Sequence, residues 1–256
     1  MLIKILSYNI HKGFDWNNKN YFLKEMKEFI KSSHADIVFL QEVVGKNNKY
    51  MEMGMIDSQF EFLADQIWPH FSYGHNAVYD HGHHGNLILS KFPITSYQNI
   101  NISTNNLEKR GFLICKIAIP DLEKNTETFF YVACSHLNLL HTSRLQQYQK
   151  IKKHMLSEDL NHDTPIIIAG DFNDWNQKCA NVFEIDLGMQ EVHKSIHGRF
   201  AKTFPALYPL FCLDRIYVKN LKIKTAIILE PKKTHNILAH LSDHLPLYCE
   251  IEINGA

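Results

Sequence analysis

The 256-residue chain carries 27 basic and 27 acidic residues, so its formal net charge is zero. That balance excludes the broad basic footprint of a protein that coats nucleic acid, though a small basic patch can sit inside a neutral total. With 45% apolar residues and no Pro/Gly/Ser-rich linker, charge block or internal repeat, residues 1–256 read as one domain with its own core.

The opening MLIKILSYNI alternates as a strand over residues 2–10. It lacks the charged n-region, apolar run and small-residue cleavage site of a signal peptide. Phe22, Leu23, Met26, Phe29 and Ile30 then fall on one face of a helix. Residues 36–43 follow as a continuous apolar run that ends in Gln41-Glu42, the pattern of a strand buried on both faces. A second helix is expected from Phe60, Leu63, Ala64 and Ile67, opened by the capping-box pattern Ser58-x-x-Glu61. Strand-like runs come next at 86–92, 111–119 and 127–137. Leu145, Tyr148, Ile151 and Met155 mark a third helix with Thr142 as its N-cap. Further strands are expected at 165–171, 213–229 and 245–253. Strands with helices falling among them imply sheets covered by helices.

No apolar run approaches the roughly 20 residues of a membrane helix. The five cysteines are odd in number and scattered without a CxxC pair. We read them as free thiols in a reducing, cytoplasmic compartment, a non-classical export route leaving no mark in sequence.

Six polar clusters end or interrupt these runs: Ser7-Tyr8-Asn9, Gln41-Glu42, Ser135-His136, Gly170-Asp171-Phe172-Asn173, Leu213-Asp214-Arg215 and Ser242-Asp243-His244. Singly, each has an ordinary reading: a carboxylate after a strand caps a helix or a turn, and a lone strand histidine is a satisfied core or edge residue. Polar groups at the ends of buried strands are also where α/β proteins place their chemistry. Asp171 and Asn173, two apart on an extended segment, are expected to face the same way.

Taken in order, these clusters resemble the endonuclease/exonuclease/phosphatase superfamily, which includes DNase I, abasic-site endonucleases, sphingomyelinases and inositol polyphosphate 5-phosphatases. The resemblance runs from Asn9 to His244 and takes in Gly85-Asn86-Leu87-Ile88-Leu89-Ser90 and Arg144-x-x-Gln147. The stretches around His83–Asn86 and Gly170–Trp175 are most similar to a bacterial branch of uncharacterised phosphodiesterase-like proteins. It implies an α/β (α+β) four-layer sandwich, two packed, mostly antiparallel β-sheets flanked by helices.

The resemblance also implies a metal and its chemistry. Glu42 is the expected direct ligand of Mg²⁺ or Mn²⁺, supported by Asn9 and Asp243; hard cations of this kind prefer carboxylate and amide oxygens. Asp171 is expected to orient or deprotonate the attacking water, and Asn173 to donate to phosphate oxygens. His244 is expected to contact the scissile phosphate, its tautomer fixed by Asp214. Whether Asp171 or His244 is the formal base stays open. His136 matches a histidine that serves as leaving-group acid in the DNase branch, where a glutamate backs it. Asn86 stands at that glutamate's position here, so acid and phosphate-binding roles are both open. Arg110 and Arg144 are candidates for bidentate phosphate contacts or for structural ion pairs. The histidine-rich segment Asp80–Gly85 reads as a flexible loop beside the site, with a transition-metal site as the sharper alternative. Trp16, Trp68 and Trp175 read as core or rim packing rather than stacking surfaces.

The expected activity is metal-dependent hydrolysis of a phosphodiester or phosphomonoester by in-line attack of water, with no covalent intermediate. The expected protein is a monomer acting on a small-molecule or lipid-like ester. A nuclease is the alternative, not favoured because nucleases gain affinity from Lys and Arg through counterion release. A non-catalytic binding module would have lost one or more of Asn9, Glu42, Asp171, Asn173, Asp214, Asp243 and His244, and all seven are present.

Overall fold

The computed structural model describes residues 1–52, 58–79, 82–106, 108–121, 126–157, 163–229 and 241–253. Among them twelve strands form two six-stranded sheets. The strands are β1 (Leu2–Asn9), β2 (Ile37–Asn47), β3 (His70–Tyr79), β4 (Gly82–Ser90), β5 (Ile94–Asn101), β6 (Gly111–Asp121), β7 (Thr126–His136), β8 (Ile166–Asp171), β9 (Gln190–Glu191), β10 (Asp214–Lys219), β11 (Lys222–Ile228) and β12 (Leu247–Glu252). The helices are α1 (Leu23–Ser32), α2 (Asn48–Glu52), α3 (Gln59–Ala64), α4 (His141–Ser157) and α5 (Val192–His197).

One sheet runs β11-β12-β1-β2-β4-β3 and the other β5-β6-β7-β8-β10-β9. Each contains one parallel pair, β1 with β2 and β7 with β8, and its other pairings are antiparallel. The sheets are therefore mixed, and mostly antiparallel as the resemblance implies.

Apolar burial sets the four layers. Ile3, Ile5, Ile37, Phe39 and Ile251 of the first sheet pack against Leu113, Val132, Ile167 and Ile216 of the second. The outer face of the first sheet, through Leu6, Tyr8, Val38 and Leu40, is covered by Leu23, Met26 and Ile30 of α1 and Leu63 of α3. The outer face of the second, through Ala133, Ile166 and Ile168, is covered by Tyr148, Ile151 and Met155 of α4. A strand that must fill two layers carries apolar residues at every position, which is why β2 and β8 read as unbroken hydrophobic runs.

Several local expectations are corrected. The run 213–229 is two strands in different sheets, broken at Asn220, whose φ of 56° turns the chain. The edge strand β5 shows no apolar alternation because most of it is solvent-facing. Ser58 has a left-handed φ of 57° and its side chain caps nothing; its carbonyl accepts from Glu61 N instead, and α3 stops short of Ile67. Helix α4 starts at His141, ahead of Thr142, and Leu145 is exposed, its place on the buried face taken by Arg144 and Gln147. His83 and His84 belong to β4 rather than to a loop; Asp80 and His81 lie outside the described residues. Trp68 is core, its Nε1 donating to Ala35 O, whereas Trp16 and Trp175 are partly exposed. The cysteines are free, all buried but the half-buried Cys212.

Candidate active site

The two parallel pairs end at one place. In the first sheet Asn9 at the end of β1 lies beside Gln41 of β2. In the second, His136 at the end of β7 lies beside Asp171 at the end of β8, which lies beside Asp214 at the start of β10. Neighbouring strands sit about 4.8 Å apart, so strand register alone brings these polar side chains together. The close approach of β7 and β8 depends on Gly170: a Cβ there would lie 1.9 Å from the Ser135 carbonyl oxygen.

Glu42 reaches the site through a bulge. The ladder steps from Leu40↔Leu87 to Val43↔Gly85, so Gln41 and Glu42 together oppose the single residue Asn86. Glu42 adopts φ 59°, a left-handed conformation that costs a non-glycine residue energy and is a common device at functional sites. Its carboxylate lies 3.2 Å from Lys12 Nζ and 4.0 Å from His136 Nδ1.

Asp171 is the hub. Its Oδ2 accepts from Asn9 Nδ2 at 3.1 Å and lies 3.5 Å from His136 Nε2 and 3.7 Å from His244 Nε2. Its Oδ1 accepts from Asn173 N at 2.9 Å. On the far side of the imidazole, His244 Nδ1 meets Asp214 Oδ2 at 2.8 Å, and Thr203 Oγ1 donates to the same carboxylate oxygen. Asp171, His244, Asp214 and Thr203 are all buried.

These contacts set the charges. Burial alone would strip the proton from His244, but the carboxylates of Asp214 and Asp171 outweigh it and raise the imidazolium to about 10. Asp171 is raised to about 6, because burial and the nearby Asp214 charge outweigh the pull of His244. His136 is pushed well down by burial and by Arg110, against the attraction of Glu42, so it is neutral. His84 falls to about 4 for the same primary reason, burial. Burial also works against the Glu42 carboxylate, yet the Lys12 cation 3.2 Å away helps to hold it well below the usual carboxylate range.

The other expected residues divide. Asp243 sits 3.8 Å from His11 Nδ1 and is more open to solvent than the hub. Arg110 pairs with Glu108 at 3.3 Å, and its buried Nε finds no hydrogen-bond partner among the described residues. Asn173 does not continue an extended segment: its φ of 47° turns the chain and its Nδ2 donates to Leu137 O. Asn86 Nδ2 donates to Gly111 O and Cys134 O, tying the two sheets together beneath the site. Arg144 is buried and donates to the carbonyls of Asn138 and Leu139, while Gln147 brackets Asn138; both fix the turn after His136.

Sequence reasoning missed Lys12 and Thr203. Lys12 stands in the turn immediately after Asn9, which is a readable signal. Thr203 carries none, since its link to Asp214 spans 11 residues of irregular chain.

Two sets of groups have metal-ligand chemistry. Ligand atoms of Asp171, Asp214 and His244 lie within 4.8 Å of one another, but they are already bonded to each other and to Asn9, Asn173 and Thr203. Glu42, Asp243 and the Asn9 amide offer hard oxygens, and Glu42 is an ionised carboxylate beside Lys12 and His136. The second set fits a hard divalent cation better.

Two mixed sheets flanked by helices, with an acid–imidazole network where their parallel pairs end, define an α/β sandwich of the DNase I-like type. A model described as the Endonuclease/Exonuclease/phosphatase family matches residues 6–244, and the chain belongs to that family of phosphoester hydrolases. It is 42% identical over 253 residues to the uncharacterized protein YbhP of Escherichia coli (strain K12), spanning 98% of this chain and 96% of that one. Its fold is similar to that of D. rerio TDP2 complexed with single strand DNA product (TM-score 0.72, 18% identity, 98% and 99% of the chains). It is equally similar to a mannosyl-6-phosphatase of Bacteroides thetaiotaomicron (TM-score 0.71, 17% identity, 98% and 100%). No helix among the described residues is long and apolar enough to cross a membrane.

Proposed function

We propose that the protein hydrolyses phosphate esters of small or lipid-like alcohols with Mg²⁺ or Mn²⁺, by direct in-line attack of water. The observation that carries this reading is the placement of Asp171 Oδ2 within 3.7 Å of His244 Nε2, with Asp214 on the other side of that imidazole. The likeness to a phosphatase and to a DNA-bound enzyme establishes a shared fold, and supports phosphate esters as the substrate class.

Asp171 is ionised at neutral pH and accepts a proton from water as its oxygen forms the new bond to phosphorus. His244 keeps its proton, so it is a donor to the phosphate oxygens and not the base. Asp214 and Thr203 hold the imidazole in that orientation. Neutral His136 suits a phosphate-binding role better than that of an acid. The Nε of Arg110, without a hydrogen-bond partner among the described residues, adds a further donor for substrate phosphate, whereas Arg144 is occupied by main-chain carbonyls. Glu42, with Asn9 and Asp243, would hold the metal, which when bound supplies Lewis-acid stabilisation of charge on phosphoryl and leaving oxygens.

The test is a panel of bis-p-nitrophenyl phosphate, a sugar phosphate, phosphoinositides, sphingomyelin, single-stranded RNA and plasmid DNA, with Mg²⁺, Mn²⁺ or EDTA. Turnover of the small or lipid esters that EDTA abolishes is the expected result. No turnover of any ester with either metal would overturn the reading.

A further inference from the structure

Resting on that reading, we infer that the site has an apolar subsite for an alkyl or acyl chain carried by the substrate's own ester group. Three separate stretches of chain leave the site, and each turns large apolar side chains to solvent within a few residues. After His136 come Leu139 and Leu140, 57% and 63% exposed. After Asn173 comes Trp175, 37% exposed. After Thr203 comes a tight hairpin that carries Tyr208, Leu210 and Phe211, 78%, 62% and 42% exposed. Single exposed apolar residues are ordinary on any surface; a contiguous group beside a reactive site marks binding.

Phe204, Trp175 and Phe211 form a contiguous set of rings that starts at the chemistry. The Phe204 ring lies 4.9 Å from the His244 ring. Trp175 meets Phe204 edge-on at 5.9 Å and Phe211 at 4.8 Å. The wall thus runs unbroken from the imidazole outward. It is also held in place: Phe204 and Phe211 exchange two main-chain hydrogen bonds at 3.2 and 2.8 Å. Ala206 N donates to Asp243 O, and Leu245 N to Thr203 O, which pins the hairpin to the segment bearing His244.

This continuity selects the occupant. A phosphate held against His244 places one of its ester groups against Phe204, and only a chain on that same molecule can follow the wall outward. A second protein copy or a bare bilayer would have no reason to start at the catalytic ring.

The experiment compares octyl p-nitrophenyl phosphate with methyl p-nitrophenyl phosphate, both below any micellar concentration. The same protein is titrated with octylphosphonate and methylphosphonate by calorimetry. A buried methylene is worth roughly fourfold, so burial of about half the added chain favours octyl by about a hundredfold in kcat/KM and in Kd. The double variant Trp175→Ser/Phe211→Ser, both positions exposed and both part of the wall, should cut each ratio about tenfold. If neither ester turns over while octylphosphonate keeps its variant-sensitive preference, the hydrolytic reading fails and the apolar subsite stands. Octyl-to-methyl ratios near one, or ratios unmoved by the double variant, overturn the subsite. If light scattering then shows the variant dissociating a dimer, the wall is a self-association face instead.

Discussion

Replacing Asp214 by Asn keeps the shape of the side chain and removes the charge that faces His244 Nδ1 at 2.8 Å. In the intact protein the imidazolium is raised from 6.5 to about 10 against the opposing effect of burial, with Asp214 the largest favourable influence and Asp171 the next. That rise is a stabilising contribution of several kcal/mol, on the order of 1.4 kcal/mol per unit, and Asp214 is its largest favourable source. Three consequences are expected. The alkaline limb of the kcat/KM profile moves down from near pH 10, because the remaining carboxylate no longer outweighs burial to the same degree. Turnover of bis-p-nitrophenyl phosphate with Mg²⁺ falls by about a hundredfold or more, the usual effect of losing a charged donor to the transition state. Stability changes with a definite sign: a histidine with a raised folded pKa stabilises fully below its unfolded value of 6.5 and loses that contribution as pH rises through 10. Asp214→Asn therefore lowers Tm at pH 7 by about 5 °C, and the variant and wild type converge above pH 10. Combining it with His244→Ala should be little worse than the worse single change. Multiplicative losses, or an alkaline limb that does not move, would refute the pairing.

Asp171→Asn should remove turnover by about a thousandfold and also raise Tm. Its folded pKa lies above the unfolded value, so its ionisation costs stability as pH rises from 3.8 through about 6; a Tm gain at pH 8 that vanishes at pH 4 is the signature. The acid limb of the wild-type profile should lie near pH 6 and disappear in this variant, and a limb unchanged by the substitution would reassign the base. Glu42→Gln should weaken Mn²⁺ binding by at least about tenfold in calorimetry and cut turnover about a hundredfold at fixed metal; unchanged affinity would place the metal elsewhere. With zero net charge, the protein should bind a labelled duplex weakly at physiological salt and with a shallow salt slope, and steep, tight binding in fluorescence anisotropy would favour a nuclease.

The sequence made the buried strands legible because β2, β7 and β8 lie between apolar layers and write that burial as unbroken hydrophobic runs. The edge strands β3 and β5 escaped because an edge facing water needs no apolar pattern. The ordered polar motifs pointed to Asn9, Glu42, His136, Asp171, Asp214 and His244; strand register brings Asn9, His136, Asp171 and Asp214 to one end of the sandwich, a bulge adds Glu42 and the segment before β12 adds His244. Where reasoning from sequence slipped, a local turn was responsible. The left-handed residues at Glu42 and Asn173 re-aim side chains that simple alternation would send elsewhere. In the sequence Arg144 is open between a phosphate ligand and a structural ion pair, and only the fold shows its guanidinium spent on the carbonyls of the loop it anchors. Thr203 and Lys12 act through contacts across irregular chain, which carry no periodicity to read.

The order in which the strands are laid down has a consequence for the newborn chain. The second sheet is drawn from one continuous stretch, β5 to β10, whereas the first is opened by β1 to β4 and finished only by β11 and β12. Because β12 lies between β1 and β11, the middle of that sheet stays open until residue 252 has left the ribosome, exposing an unpaired edge of β1 in the meantime. The segment that closes the gap is the same one that delivers Asp243 and His244. Completion of the fold and assembly of the full acid–imidazole set are thus a single event, and a chain interrupted during synthesis holds Asp171 without the imidazole that faces it.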